Sequence, residues 1–501
     1  MKLPVAFIKS LDGLPGFDRD SFEAVHAVGD PVTSIRLNPG KLSAAAGNGM
    51  IAELSAEALA GFVWDGRNGR ATGGSTGPGE GAGMARFPER SAGPGEGTER
   101  VPWSSFGYYL PRRPSFTADP RFHAGVFYVQ EASGMFLEQA LRQTTDAGRP
   151  LKVLDLCAAP GGKSTLLQSL LPADSLLVSN EVIRNRVHIL EENIIKWGAI
   201  NTVVTSSDPH DFGRLENYFD VIVVDAPCSG SGLFRRQPDA AGEWSPDAVR
   251  LCSQRQRRIL ADCWPALRQD GVLIYSTCSY SREEDEDIVG WIMCELGAEN
   301  LPLKVPREWQ IVETAGTSGE HGYRFYPDRL RGEGFYLSCL RKLGGGSYVH
   351  GRKKGGIARV GKKDESAIGG WIRKDAELAF FSHGEFVHAI PPAVFSDLPA
   401  LRSACRLIRA GVPLGKLSER ELIPAHDLAL SVIAASELPA VDLSHEEALC
   451  YLRKDELSPG SLQRGWMLVR YGGFNLGWIK ALAGRINNYY PKEWRILRRE
   501  P

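Results

Sequence analysis

The 501-residue chain has no uninterrupted apolar run of the roughly 18 residues that a membrane-spanning helix needs, so no membrane partner is expected. It has no C-x-x-C pair, and no metal site is expected. Its nine cysteines follow no disulfide-framework spacing, which fits a reducing cytoplasm. The opening Met1-Lys-Leu-Pro-Val-Ala-Phe-Ile-Lys-Ser10 is too short and too interrupted for a secretory signal. Neither sign of charge dominates: a formal net charge of -1 argues against a uniformly basic surface. There is no internal repeat.

What is present is ordinary in bulk and uneven in detail. Hydrophobic residues make up 43% and charged residues 24%, a soluble globular composition, and the length exceeds what one core usually organises. Basic residues crowd two places, Arg341, Lys342, Arg352, Lys353, Lys354, Arg359, Lys362 and Lys363, and then Lys480, Arg485, Lys492, Arg495, Arg498 and Arg499. Local patches of this kind can contact phosphates without a high isoelectric point.

Composition and periodicity divide the chain into five stretches. Residues 1–65 form an ordered N-terminal segment containing Thr33-Ser-Ile-Arg-Leu-Asn38. Residues 66–100 are Gly-rich and poor in large apolar groups, and read as a flexible loop. Between 101 and 342, strand candidates at 151–156, 175–181, 201–205, 221–225, 271–276 and 335–341 alternate with helical stretches at about 129–142, 162–171, 183–197, 246–268 and 284–296. Such alternation predicts α/β architecture with a parallel, doubly wound sheet. The last strand candidate comes after a polar loop, which leaves room for an antiparallel insertion. A basic linker at 343–366 precedes a separate small domain of mixed strands and helices at 367–501.

Three strand ends carry candidate cofactor residues. In Leu151-Lys-Val-Leu-Asp-Leu-Cys-Ala-Ala-Pro-Gly-Gly-Lys-Ser-Thr165, a strand runs into a glycine turn and a helix start. Gly161 and Gly162 permit a tight turn and close approach to a ligand, and the helix N-terminus offers free N–H groups. Glu181, ending the second strand, could accept both hydroxyls of a ribose. Asp208, after the third, could bond an adenine edge, or simply cap a helix. Gly162-Lys163-Ser164 also matches the end of an ATPase P-loop, but the first glycine of that motif would fall at Cys157.

Cys228 closes Val221-Ile-Val-Val-Asp-Ala-Pro-Cys-Ser-Gly230, and Cys278 closes Val272-Leu-Ile-Tyr-Ser-Thr-Cys-Ser279. Residues just past the carboxyl ends of parallel strands face the ligand crevice, so two thiols beside Asp225 suggest covalent chemistry. Cys252, Cys263, Cys294, Cys339, Cys405 and Cys450 lie in amphipathic runs and read as packing residues, as does Cys157 beneath the turn. The sequence does not rank the two thiols.

Cys157-Ala-Ala-Pro-Gly-Gly-Lys163, Asp225-Ala-Pro-Cys-Ser-Gly230 and Ser276-Thr-Cys-Ser279 resemble the signature motifs of the Nol–Nop–Sun RNA cytosine-5 methyltransferases. Arg324 through Pro327 to Gly332-Glu-Gly-Phe335 is similar to the family's closing strand, so the likeness covers roughly residues 100–342. Leu3-Pro-Val-Ala-Phe7 and Ser34-Ile-Arg-Leu-Asn38 resemble the N-terminal segment of bacterial members. Gly477-Trp-Ile-Lys480, Gly484-Arg485 and Asn488-Tyr-Tyr-Pro491 resemble the end of small-subunit rRNA methyltransferases that carry a PUA-like RNA-binding domain.

The resemblance implies a Rossmann-like S-adenosylmethionine-dependent methyltransferase sheet with an N-terminal family segment and a C-terminal PUA-like α+β/β-barrel domain. It implies a monomer that forms 5-methylcytidine in 16S rRNA or the small ribosomal subunit through a covalent cysteine–cytosine adduct. Cys278 would be the nucleophile and Cys228 would assist release. Asp225 would stabilise the base, and Lys163 would lie near the reacting centre or a phosphate. The turn of Cys157, Ala158, Ala159, Pro160, Gly161, Gly162 and Lys163 would meet the methionine part of the cofactor, with Glu181 on the ribose and Asp208 on the adenine. Trp466, Trp478, Tyr489 and Tyr490, interleaved with Lys480 and Arg485, offer a platform for unstacked bases or a barrel core. Arg235 and Arg236 are candidates for phosphate contact. The alternatives are a tRNA cytosine-5 methyltransferase and a catalytically inactive RNA-binding ribosome assembly factor.

Overall fold

Five strands built around short apolar runs, Lys152–Asp155, Leu176–Asn180, Thr202–Thr205, Phe219–Asp225 and Leu267–Thr277, pair in parallel. The computed structural model that shows them describes residues 3–29, 31–46, 98–146, 148–316, 319–345, 357–418, 421–457 and 462–497. Most of the glycine-rich 66–100 stretch and the centre of the 343–366 linker lie outside the described residues; Glu99–Arg100 form a short strand.

In space the parallel strands run third, second, first, fourth, fifth. Strand order reverses beside the first strand, which opens a crevice at its carboxyl end. Side chains alternate between faces with period two, and both faces are buried. Leu154, Val178, Ile222, Val224 and Leu273 enter one core, and Val153, Leu177, Val221, Val223 and Ile274 enter the other. Helices Gly162–Leu170, Arg184–Trp197, Pro246–Cys263 and Glu286–Glu295 connect the strands. The fold is α/β, as the alternation predicts.

Beyond the fifth strand the sheet turns antiparallel. Phe335–Lys342 pairs with it through Tyr336 opposite Thr277, and His321–Phe325 and Val312–Ala315 extend the sheet from there. The last two strands are not legible in the sequence because they are short and carry few apolar residues.

Pairing redraws two boundaries. The N-terminal strand Thr33–Leu37 is buried throughout and flanked by Gly107–Leu110 and Phe127–Val129. A strand buried on both faces needs a partner on each edge, so residues placed after 101 complete the N-terminal sheet. At the opposite end, Leu407–Ala410 pairs antiparallel with the third parallel strand and covers the edge of the catalytic sheet. The C-terminal region therefore lends a strand to the sheet it was expected to stand apart from. It also holds two four-stranded sheets of its own. Ile35, Leu37 and Tyr108 share one core with Tyr451, Met467, Leu476 and Ile479, so the two ends of the chain pack together.

His426 sits within that clasp, edge-on to the rings of Tyr490 and Trp494. Both ring nitrogens are buried without a hydrogen-bond partner among the described residues. Burial pushes its pKa down to about 4 from 6.5. Between those values the unfolded chain binds more protons at this position, so its contribution is whole above pH 6.5 and is lost as the pH falls towards 4. A His426→Phe variant, which keeps a ring there, should lose less stability than the wild type between pH 7 and 4.5, measured as the drop in urea midpoint. An equal drop in both proteins would refute this.

Candidate active site

The first strand ends at Asp155, and the chain turns through Cys157 to Gly161 into the Gly162–Leu170 helix. Gly161 has a φ of 114°, a left-handed conformation that glycine adopts at no steric cost. The turn is pinned from three sides: Ala158 N–H donates to Asn180 O (2.8 Å), Arg186 Nη2 to Ala159 O (2.7 Å) and Asn193 Nδ2 to Pro160 O (2.8 Å). Cys157 packs against one core of the sheet, and burial pushes its thiol well up. Glu181 is buried at the end of the second strand, where it accepts from Ile183 N–H (2.9 Å) and lies 3.4 Å from Arg186. Asp208 stands after the third strand and caps helix Pro209–Phe212 through His210 N–H (3.1 Å) while half exposed.

The thiols meet. Cys228 Sγ and Cys278 Sγ are 3.1 Å apart at the ends of the fourth and fifth strands. The hydrogen bond to Cys278 and burial both push Cys228 well up, so it holds its proton. Beside them Lys163 Nζ lies 2.8 Å from Asp225 Oδ2, and Ser276 Oγ donates to Asp225 Oδ1 (2.8 Å). Burial opposes the ammonium form of Lys163, but the Asp225 carboxylate, with Asp155 and Cys278 behind it, holds the pKa above its ordinary value. Lys163 also lies 5.3 Å over the Phe335 ring, which closes the site from the antiparallel strand. One crevice thus gathers the glycine turn, Lys163, Asp225, Cys228 and Cys278. Asp225 keeps a third of its side chain exposed, enough to meet a ligand.

The crystal structure of PH0851 has a similar fold, with a TM-score of 0.53 at 22% identity over 68% of this chain and 66% of that one. Family models match three stretches: the 16S rRNA methyltransferase RsmB/F at 144–341, the N-terminal domain of 16S rRNA methyltransferase RsmF at 84–132, and the methyltransferase RsmF PUA domain at 438–496. Ribosomal RNA small subunit methyltransferase F of Salmonella arizonae is 30% identical over 414 residues, 78% of this chain and 84% of that protein. The same-named protein of Aliivibrio fischeri is 30% identical over 424 residues, 82% of this chain and 88% of its own. The chain belongs to the RsmB/F family of 16S rRNA methyltransferases.

An RsmB/F-family enzyme uses S-adenosyl-L-methionine, and the crevice fits it. Asp155 Oδ1, at the switch point, is buried without a hydrogen-bond partner among the described residues, while Oδ2 accepts from Ser164 Oγ (2.7 Å). Burial pushes this carboxyl up to about 7. An unsatisfied acceptor beside the glycine turn suits the ammonium end of the methionine moiety. The backbone of Ala158 to Gly162 would hold its carboxylate, Glu181 the ribose hydroxyls and Asp208 the adenine. Ser164 bonds Asp155 and Lys163 pairs with Asp225, an arrangement unlike a phosphate cradle.

Several expectations need correction. Trp478 and Tyr490 are core residues, 1% and 2% exposed, and Trp466 is buried against Tyr489; among the four rings only Tyr489 is exposed. Trp466 and Trp478 fill one core of the C-terminal region and Tyr490 the core shared with the N-terminal sheet, so a platform of four does not exist. Arg235 is buried beside Glu333, 3.6 Å away, and is no phosphate contact, whereas Arg236 is exposed. Lys342 is buried and donates to the carbonyls of Trp264 and Leu267. Cys294, read as packing, is exposed. Arg352 to Lys354, Arg498 and Arg499 lie outside the described residues.

Asp155, Ser276 and Phe335 join the site; each lies inside a quoted segment, but the sequence assigns none of them a role. The signal for Ser276 is its place in the strand opposite Asp225, visible only once the register of the fourth and fifth strands is known. No helix among the described residues is long and apolar enough to cross a membrane, and no cluster of three metal-ligating side chains occurs among them.

Proposed function

We propose that the protein methylates carbon 5 of a cytosine in small-subunit rRNA through a covalent adduct with Cys278. The observation that carries this reading is the pair of sulfurs 3.1 Å apart beside the Lys163–Asp225 ion pair. Carbon 5 of cytosine is too weak a nucleophile to accept a methyl group directly, and covalent catalysis divides that step in two. The Cys278 sulfur adds to carbon 6, which moves electron density to carbon 5. S-adenosyl-L-methionine, when bound, supplies an electrophilic methyl group there. A water acting as base then takes the carbon 5 proton, the C–H electron pair forms the carbon 5–carbon 6 double bond, and the sulfur leaves carbon 6 with its bonding pair as a thiolate, which restores the aromatic ring.

Each group has a physical part. Cys228, held as a thiol against Cys278, can return a proton as the sulfur leaves. Asp225, oriented by Lys163 and Ser276, would meet the ring nitrogen and amine of the base. The target base must leave its stack to reach this depth.

The test uses small-subunit rRNA tritiated at cytosine carbon 5. Tritium release into water should depend on S-adenosylmethionine and match methyl incorporation one for one. Methyl incorporation without tritium release would refute carbon 5 as the acceptor.

A further inference from the structure

Glu284 belongs to neither the cofactor crevice nor the reacting pair, yet it touches the chain on both sides of them. It is fully buried, with no exposed surface. Its Oε1 accepts from Ser229 N–H (2.8 Å) and Gln256 Nε2 (3.3 Å). Its Oε2 accepts from Ser229 Oγ (2.6 Å) and Ser279 Oγ (2.6 Å). Ser229 directly follows Cys228 and Ser279 directly follows Cys278. One carboxylate therefore grips the residue next to each thiol, across 50 residues of sequence. Gln256 adds a third element, since its Nε2 also donates to Pro227 O (3.1 Å), on the other side of Cys228.

A buried carboxylate is expensive unless its lone pairs are filled, and here four donors converge on it. Without it, Ser229 N–H and two hydroxyls would lose their shared acceptor. The thiol loops would then be joined by the Gly232 N–H to Cys278 O bond (2.8 Å), the Tyr280 N–H to Ser231 Oγ bond (3.0 Å) and the longer hydroxyl contacts of Ser279 with Ser229 and Ser231, none of which involves a charged acceptor.

We propose that Glu284 is a positioning residue that sets the approach of Cys228 to Cys278 by clamping Ser229 and Ser279. The proposal rests on the reading that the two thiols work as a pair, but its test does not require methylation.

The probe is phenylarsine oxide, which condenses with two adjacent thiols, forms two arsenic–sulfur bonds and releases one water. The full-length protein is used without RNA. Wild type should bind one equivalent, and Cys228→Ala and Cys278→Ala should each abolish that binding. Glu284→Ala should weaken capture by about tenfold or more, the scale expected when a set of charge-assisted hydrogen bonds is lost. Glu284→Gln should restore it: the amide oxygen can still accept from Ser229 N–H and Gln256, while serine hydroxyls can accept from the amide N–H. Capture by Glu284→Ala equal to wild type, or failure of Gln to rescue, overturns the proposal. If Glu284→Ala does not fold, Ser229→Ala/Ser279→Ala removes the grip from the other side and must show the same loss. Intact arsenical capture in a wild-type protein that fails the tritium test would instead count against the cytosine reading alone.

Discussion

Cys278→Ala should abolish methyl transfer, while Cys228→Ala should trap the enzyme on its RNA. Removing the nucleophile of a covalent mechanism costs on the order of 10³–10⁶ in rate, because the remaining groups have no second route to activate carbon 5. Removing Cys228 leaves addition and methylation possible and takes away the thiol proton beside the leaving sulfur. The adduct should then accumulate as a protein–RNA band that survives a denaturing gel. It should need S-adenosylmethionine and disappear in the double variant. An adduct formed by Cys278→Ala would exchange the two roles. Substitution of Cys263 or Cys339, buried thiols away from the crevice, should produce no such band.

The sequence carried the chemistry of this site better than its scaffold. The apolar residues Val153-Leu154, Val221–Val224 and Val272–Tyr275 have a direct cause, since strands buried on both faces carry apolar side chains on each. The residues just past each run are free to be polar, and that is where the site residues stand. The pairing of Cys228 with Cys278 was readable because adjacent parallel strands bring their ends together. The boundaries were not readable. Nothing local in Leu407-Ile-Arg-Ala410 says that it pairs with Thr202–Thr205, some 200 residues earlier in sequence. Nor does Trp478 differ from a base-stacking tryptophan until its Nε1 is seen donating to Ala425 O (2.8 Å) inside a core. Glu284 was hidden for a similar reason: in Arg282-Glu-Glu-Asp-Glu-Asp287 it is one acid among five, and only the fold shows that it points at the thiol loops while Asp285 and Glu286 turn to Arg324.

The neighbouring acids lead to the second large effect. Arg324→Ala should destabilise the protein by about 3–5 kcal/mol, the scale found when one partner of a buried ion pair is removed. Arg324 is 1% exposed. Its guanidinium meets both Glu286 oxygens and lies 3.2 Å from Asp285, and Nη1 donates to Tyr280 O (2.9 Å). Asp285 in turn accepts from Thr277 Oγ1 (2.6 Å), the residue before Cys278. Burial pushes Asp285 well up, while Arg324 holds Glu286 down although burial opposes it. Without the guanidinium both carboxyls should favour the protonated form in the folded state. The folded variant would then bind more protons than its unfolded chain, so the loss should shrink as pH falls. Urea denaturation at pH 8 and pH 5.5 separates this from a packing defect: a cavity costs the same at both, whereas stranded carboxylates cost less in acid. A pH-independent loss, or one below about 1 kcal/mol, would mean that the acids find other partners. The same variant should also slow methyl transfer, because the Tyr280 carbonyl it releases lies two residues beyond the Cys278 sulfur.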